Sequence, residues 1–204
     1  CVFLIFLING CGYKKELNTQ YFCKKLTLNC DIKENILVFH TSKGILKIQL
    51  FADSHPVTVA NFISKAKNNI YMNRNFYKII NYSSNKLIHN GLNNTGDFEQ
   101  MNIKDTGNFD SIPLEIKLKN KEPIYETSII NSMEIKNLSH KFENGALSMV
   151  KINNKRSSST EFFFSLNNMP EFDGRYSIFG RIISGLEILD EIDQNDLIKK
   201  IEFH

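Results

Sequence analysis

Residues 160–180 contain the stretch Thr160-Glu-Phe-Phe-Phe-Ser-Leu166, followed by Phe172-Asp-Gly-Arg-Tyr-Ser-Ile-Phe-Gly180. In a β-strand, successive side chains point to opposite faces, so Phe162 and Phe164 would face one side and Phe163 the other. Two interpretations are open. Either the strand is buried on both faces, or Phe163 forms the floor of an apolar pocket for a small ring. Periodicity alone favours the first interpretation.

The length and charge of the chain limit its architecture and its partners. Its 204 residues are enough for one substantial domain or two small ones. The net charge is +3 and is spread along the chain rather than gathered in a stripe of lysine and arginine, so we expect no nucleic-acid partner. The cysteines and histidines form neither a CxxC pair nor a cluster at metal-ligand spacing, so we predict no metal site.

The N-terminal residues differ from the rest of the chain. Residues 1–8 are continuously apolar, a run that is too short to span a bilayer but has the length of a signal-peptide core. The sequence Ile8-Asn9-Gly10-Cys11 resembles the lipobox of bacterial lipoproteins, although leucine is usual in place of Ile8. This resemblance implies lipidation of Cys11. A plain secretory signal and a fragment of a membrane anchor are the alternatives.

These features predict three segments: a signal or lipobox-like segment at residues 1–11, a polar tether at 12–34 and a folded domain at 35–204. We expect the protein to be exported and held at the membrane only through a lipid or signal anchor, facing the periplasm or the thylakoid lumen. In such a compartment, Cys23 and Cys30 can form a short disulfide, which would stabilise the fold only modestly. Two unpaired thiols are the alternative.

The pattern of apolar residues predicts a β-rich fold. Residues 45–51 alternate as in a half-buried strand, and residues 57–67 carry an apolar face at helical spacing after Pro56. Residues 92–143 are the least regular part of the chain: only residues 112–116 have local character, and residues 128–138 are predicted to form a short helix. This segment is therefore either a functional loop or an insertion. Further strands are predicted at 36–39, 75–80, 86–91, 146–150, 161–166, 177–183 and 197–203, and a second helix at 185–192. Many strands with two clear helices indicate an antiparallel β-barrel.

Seven segments follow one another in a specific order and spacing. They are Thr41-Ser-Lys-Gly-Ile-Leu-Lys-Ile-Gln-Leu-Phe51, His55-Pro-Val-Thr-Val-Ala-Asn-Phe62, Asn75-Phe-Tyr-Lys-Ile79, Gly145-Ala-Leu-Ser-Met149, Glu161-Phe-Phe-Phe164, Phe172-Asp-Gly174 and Ile178-Phe-Gly-Arg-Ile182. Together they resemble the cyclophilin family of peptidyl-prolyl isomerases over residues 36–203, with an atypical insert around 117–143. The resemblance implies a mainly β fold, an eight-stranded antiparallel β-barrel closed by two α-helices.

The resemblance also implies a function, the rotation of X–Pro peptide bonds in Pro-containing peptides or unfolded protein clients. The barrier to this rotation is about 18–20 kcal/mol, because amide resonance is lost at the perpendicular geometry. A catalyst must hold the proline ring in an apolar pocket and place a hydrogen-bond donor near the prolyl nitrogen. The chemistry requires no cofactor, and we expect the protein to act as a monomer.

The apolar part of the family's site is largely retained. Phe163 matches the aromatic floor of the proline pocket, and Leu87 matches a wall that methionine usually forms. Phe172 matches a wall that leucine usually forms, and Tyr176 stands where histidine is common. The resemblance places Met149 beside these residues as a further substrate contact.

The polar part of the site departs from the family. Lys78 occupies the position of the catalytic arginine, and lysine lacks the planar fork that serves two partners at once. His89 and Glu161 each replace a glutamine. Val150 and Lys151 replace an Ala-Asn pair that contacts the substrate backbone. Two further replacements are found. Lys86 replaces an aromatic residue at the rim of the pocket, and Glu171 replaces a tryptophan on which cyclosporin recognition depends.

Two hypotheses follow from this combination. The chain is either a slow isomerase, with Lys78 as the electrostatic donor, or a non-catalytic cyclophilin-like module that binds Pro-containing or unfolded segments. Two roles for His89 are open: it contacts the substrate, or its hydrogen bonds are satisfied within the barrel.

Overall fold

The computed structural model describes residues 18–82, 85–92 and 111–204. Its strands are β1 (Ile36–Thr41), β2 (Ile45–Leu50), β3 (Lys78–Tyr82), β4 (Asn85–Asn90), β5 (Ile112–Pro113), β6 (Glu115–Ile116), β7 (Ile124–Tyr125), β8 (Ala146–Lys151), β9 (Arg156–Ser165), β10 (Ile178–Ser184) and β11 (Ile198–Phe203). Its α-helices are α1 (Thr19–Lys25), α2 (Pro56–Lys67), α3 (Ser132–Lys136) and α4 (Leu186–Glu191), and a 3₁₀ turn covers Pro170–Phe172.

Eight strands form one curled antiparallel sheet in the order β11-β1-β2-β10-β8-β9-β4-β3, and β5 pairs with the start of β9. The two ends of the sheet approach each other, because Asn75 forms a bridge with Leu197 just before β3 and β11 begin. The predicted fold class, a mainly β antiparallel barrel, is confirmed. The predicted helices at 57–67 and 185–192 correspond to α2 and α4, and α3 is shorter than predicted.

The interior of the sheet follows directly from the strand pattern. In β2, the side chains of Leu46, Ile48 and Leu50 are buried while those between them are more exposed. Phe162 and Phe164 of β9 lie in this same interior, and both rings contact Phe39 of β1. Phe163 therefore points to the opposite face of β9, as alternation requires.

Helix α2 covers the core with the predicted apolar face. Val59, Phe62, Ile63 and Ala66 are all buried in the cluster that fills the sheet interior. The helix begins at Pro56, whose missing N–H costs nothing in the first turn.

Residues 18–34, predicted to be a polar tether, contain α1 and a disulfide between Cys23 and Cys30. Phe22 of α1 is buried against Val57 and Tyr125. The sequence pattern missed this packing because α1 has one buried residue and no apolar periodicity. The division of the chain into signal, tether and domain remains a prediction.

The described part of the irregular segment, residues 111–143, has a small core of its own. Strands β6 and β7 pair, and α3 follows them. The buried side chains of this core are Leu114, Ile116, Leu118, Ile129 and Leu138. Within the ranges given above, no helix is long and apolar enough to cross a membrane.

Candidate active site

Strand pairing places three of the predicted site residues in one row across the sheet. Lys78 of β3 pairs with His89 of β4, and His89 pairs with Phe163 of β9. Directly paired residues share a face, so these three side chains lie on the face opposite the core. Leu87 and Glu161, two positions away along their strands, share this face.

Phe163 is at the centre of a second aromatic cluster outside the barrel core. Its ring lies nearly parallel to those of His89 and Phe142, at centroid distances of 5.1 and 5.7 Å. The ring of Tyr176 meets it edge-on at 5.7 Å. Only 2% of Phe163 is exposed to solvent, so the expected pocket floor is covered in this conformation.

The wall of the cluster comes from the turn after β9. Phe172 ends the 3₁₀ turn, and its ring lies 4.7 Å from that of Tyr176. Gly174 between them has φ +71, and a Cβ there would lie 2.4 Å from the backbone oxygen of Ile129. Only glycine allows this close approach between the turn and the segment around Ile129.

Phe142 is a member of the cluster that the sequence did not reveal. Its ring is buried and meets those of Phe172 and Tyr176 edge-on, at 5.3 and 5.9 Å. Its backbone N–H donates to the Asp173 carboxylate at 2.7 Å, which ties it to the wall. No periodic signal marks this position, because Phe142 lies in an irregular stretch just before β8.

Lys78 is exposed at the edge of the row. Adjacent strands lie about 4.8 Å apart, so its backbone is roughly 10 Å from that of Phe163, two strands away. Its positive charge acts on both His89 and Glu161 and lowers the pKa of each group, although burial is the largest influence on both. The structure thus brings the expected donor to the edge of the aromatic cluster.

His89 is neutral at physiological pH. Burial, aided by the charge of Lys78, lowers its pKa to about 4. Its Nε2 atom is buried and finds no hydrogen-bond partner in the described part of the chain. A neutral imidazole with an unpaired nitrogen can donate or accept one hydrogen bond, but it does not add a positive charge to the site.

Glu161 is held by a neighbour that the sequence did not reveal. The hydroxyl of Tyr77, on the residue before Lys78, donates to its Oε1 at 2.9 Å. Burial raises the pKa of Glu161, which opposes its charged form. The carboxyl is therefore engaged within the protein on the same face as Phe163.

Met149, predicted to contact substrate, and Lys86, predicted at the pocket rim, lie apart from the row. Met149 pairs with Phe162, so its side chain faces the barrel interior and is fully buried. β-Alternation turns this side chain to the face opposite the row, and its contact with substrate stays a prediction. Lys86 directly precedes Leu87 on β4, so its side chain points to the opposite face of the strand. Its amino group contacts Asp190 there.

The remaining predictions divide between the cluster and the undescribed residues. Val150 follows Met149 at a strand irregularity and packs, partly buried, against the aromatic cluster. Cys11 lies outside the described residues. Across residues 18–82, 85–92 and 111–204, no group of three or more His, Cys, Asp or Glu side chains is placed to hold a metal ion.

Comparison with known proteins agrees with this architecture. The family model described as cyclophilin-type peptidyl-prolyl cis-trans isomerase matches residues 36–202. The chain belongs to the cyclophilin family. This match covers the curled sheet except the last residue of β11, together with helices α2 and α4.

Similar proteins come from distant organisms. A peptidyl-prolyl cis-trans isomerase of Helicobacter pylori is 26% identical over 181 residues, covering 85% of this chain and 93% of the relative. The mouse peptidyl-prolyl cis-trans isomerase-like 3 is 27% identical over 158 residues, covering 78% and 81%. A crystal structure of a Cryptosporidium parvum cyclophilin, 25% identical, superposes with a TM-score of 0.56 over 84% of this chain and 98% of that one.

A second solved structure supports the fold alone. It is a cyclophilin from Hirschia baltica, 17% identical, with a TM-score of 0.58 over 92% of this chain and 80% of that one. The family match and the relatives named as isomerases together support a peptidyl-prolyl isomerase function for this cyclophilin.

Proposed function

We propose that this cyclophilin catalyses cis-trans isomerisation of X–Pro bonds in polypeptides, without a cofactor and at a reduced rate. The observation that carries the proposal is the row Lys78–His89–Phe163, which sets a cation at the edge of an apolar aromatic surface. A proline ring seated against Phe163 would bring its nitrogen toward the side of the site on which Lys78 lies.

The chemistry needs a group that favours the twisted amide over the planar one. As resonance is lost, the prolyl nitrogen regains its lone pair and accepts a hydrogen bond more strongly. The ammonium group of Lys78 can supply that donor, and its four-carbon stem lets it reach inward from the exposed edge. Only interactions that strengthen in the transition state raise the rate. The hydrogen bond from Lys78 to the prolyl nitrogen is of this kind.

The reduced rate follows from the geometry of lysine. A guanidinium can hold the prolyl nitrogen and a second acceptor in one fixed plane, whereas an ammonium is a single mobile point charge. His89 supplies no replacement cation because its lowered pKa keeps it neutral, and the carboxyl of Glu161 carries no positive charge in either protonation state. Loss of one such interaction costs a few kcal/mol, or about two orders of magnitude in rate.

A second candidate function is favoured by the cover over Phe163. With 2% of this residue exposed, a proline ring can enter only if Tyr176, His89 or Phe142 moves. A module that binds Pro-containing or unfolded segments without seating a proline ring on Phe163 would not need this movement. Acceleration of X–Pro exchange separates the two functions, since the binding module would show none.

The most direct test of the pocket is Phe163→Ala. We expect the acceleration of cis-trans exchange in a proline-containing peptide to fall at least about tenfold, because the apolar floor is lost. Phe203→Ala, a partly buried phenylalanine on β11, is the matched control and should retain the wild-type rate. Circular dichroism verifies that both variants are folded. Equal rates in wild type and a folded Phe163→Ala variant would refute the pocket assignment.

We also propose that the protein assists folding of exported clients, as a monomer anchored at the membrane through Cys11. The disulfide between Cys23 and Cys30 supports an oxidising compartment, because such bonds rarely persist in the cytosol. Mass analysis of the membrane fraction tests the anchor. A mature chain that starts with a lipidated Cys11 is expected, and an unmodified product that starts elsewhere would contradict it.

A further inference from the structure

One side of the aromatic cluster carries two cations. Lys151 ends β8, and its Nζ lies 5.8 Å from the ring centroid of Tyr176. Arg175 directly precedes Tyr176 and is exposed. The Tyr176 ring in turn contacts Phe163. Tyr176 therefore lies between these two cations and the expected position of the proline ring.

The charge of Arg175 acts on Lys151, and neither residue is neutralised by an ion pair within the described part of the chain. Burial is the main cause that lowers the pKa of Lys151, and the positive charge of Arg175 lowers it further. Neither residue forms an ion pair with any residue of the described ranges. Like charges held together without a counter-ion favour the approach of an anion.

Two of the three acidic groups nearby, Glu161 and Asp173, are hydrogen-bonded within the protein. Glu161 accepts from Tyr77 and lies near Lys78, so the opposite end of the row is balanced in charge. The Asp173 carboxylate is bound by the backbone N–H of Phe142. Glu171 is exposed in the 3₁₀ turn, and its charge acts on Asp173. The side of Lys151 and Arg175 is therefore the electropositive end of the site.

We propose that Lys151 and Arg175 determine specificity, by favouring peptides with an acidic residue beside the X–Pro bond. This inference rests on the proposed function. Neighbouring residues in a chain have Cα atoms about 3.8 Å apart, so a carboxylate next to a proline seated on Phe163 reaches past Tyr176. The Tyr176 ring attracts the Lys151 ammonium through its face and so holds it in that position.

The test compares two peptides that differ only in charge. One has glutamate on both sides of an X–Pro bond, and the other has glutamine at the same positions. For the full chain, both kcat/KM and the dissociation constant are measured for each peptide at about 0.02 M and about 0.5 M NaCl. The same measurements are made on the double variant Lys151→Gln, Arg175→Gln. Lys24→Gln on α1 removes one positive charge away from the site and is the control.

We expect wild type to prefer the glutamate peptide about three- to tenfold at low salt, with the ratio falling toward one at high salt. The double variant should lose the preference, and Lys24→Gln should keep it. A wild-type ratio of one, or an unchanged ratio in the double variant, would overturn the inference. If wild type accelerates exchange in neither peptide, the proposed function fails, and the ratio of dissociation constants then decides the inference by the same criteria.

Discussion

At the scale of single residues, the site depends on which side chains alternation and pairing bring to one face. Phe163 is separated from Phe162 and Phe164 by alternation alone, and this could be predicted from the three consecutive phenylalanines. Its predicted role as a pocket floor rests on the family resemblance, because periodicity favoured a strand buried on both faces. Phe142 and Tyr77 could not be predicted, since their contacts depend on loop geometry and on pairing between distant strands.

The buried histidine His55, just before α2, makes a residue-scale prediction about pH. Burial, together with the nearby His140 and Lys117, lowers its pKa from 6.5 to about 3. Below pH 6.5 the unfolded chain binds a proton at His55 that the folded protein does not bind until about pH 3. The free energy of unfolding therefore falls as pH drops through this window.

We expect His55→Gln to reduce the slope of unfolding free energy against pH, between pH 4 and 6, by up to about 1.4 kcal/mol per pH unit. Urea titrations at several pH values measure this slope. The same substitution at the exposed His204 is the control for a histidine outside the core. An unchanged slope in His55→Gln would show that His55 titrates alike in the folded and unfolded chains.

At the scale of secondary-structure elements, periodicity predicted β2 and α2 because each buries one face against the core. It did not predict α1, which attaches to the domain through few groups. Phe22 packs against Tyr125, and Thr19 shares a 2.6 Å hydrogen bond with the Tyr125 hydroxyl. That hydroxyl donates to Glu115, whose carboxylate also accepts from the N-terminal backbone of α2. A polar segment is thus linked to α2 through one buried carboxyl.

The disulfide should hold α1 in this position. A seven-residue helix is too short to be stable alone. Closing the short loop between Cys23 and Cys30 contributes about 2 kcal/mol to the stability of this segment. We expect reduction to increase hydrogen exchange of the amides in residues 18–30 while those of β8 and β9 remain protected. The unreduced protein with Cys23→Ser and Cys30→Ser should show the same pattern. Equal protection of residues 18–30 with and without the disulfide would contradict this account.

At the scale of the whole molecule, the antiparallel barrel was predictable because seven motifs and the strand periodicity agreed. The small core of residues 111–143 could not be predicted, because its strands are two residues long and give no periodic signal. Ile129, in that segment, approaches Gly174 of the site wall, so the insert supports the wall as well as extending the fold. The apolar part of the site therefore depends on a region that the motifs do not cover.

The central claim is that this cyclophilin accelerates X–Pro exchange through Lys78, with less power than an arginine would give. Exchange spectroscopy on one proline-containing peptide measures binding and cis-trans exchange together, for wild type, Lys78→Arg, Lys78→Ala and the exposed strand control Lys47→Ala. We predict acceleration in wild type, an increase of about tenfold or more in Lys78→Arg, near-background exchange in Lys78→Ala and an unchanged rate in Lys47→Ala. Peptide binding without accelerated exchange in both wild type and Lys78→Arg would contradict the claim and identify a binding module.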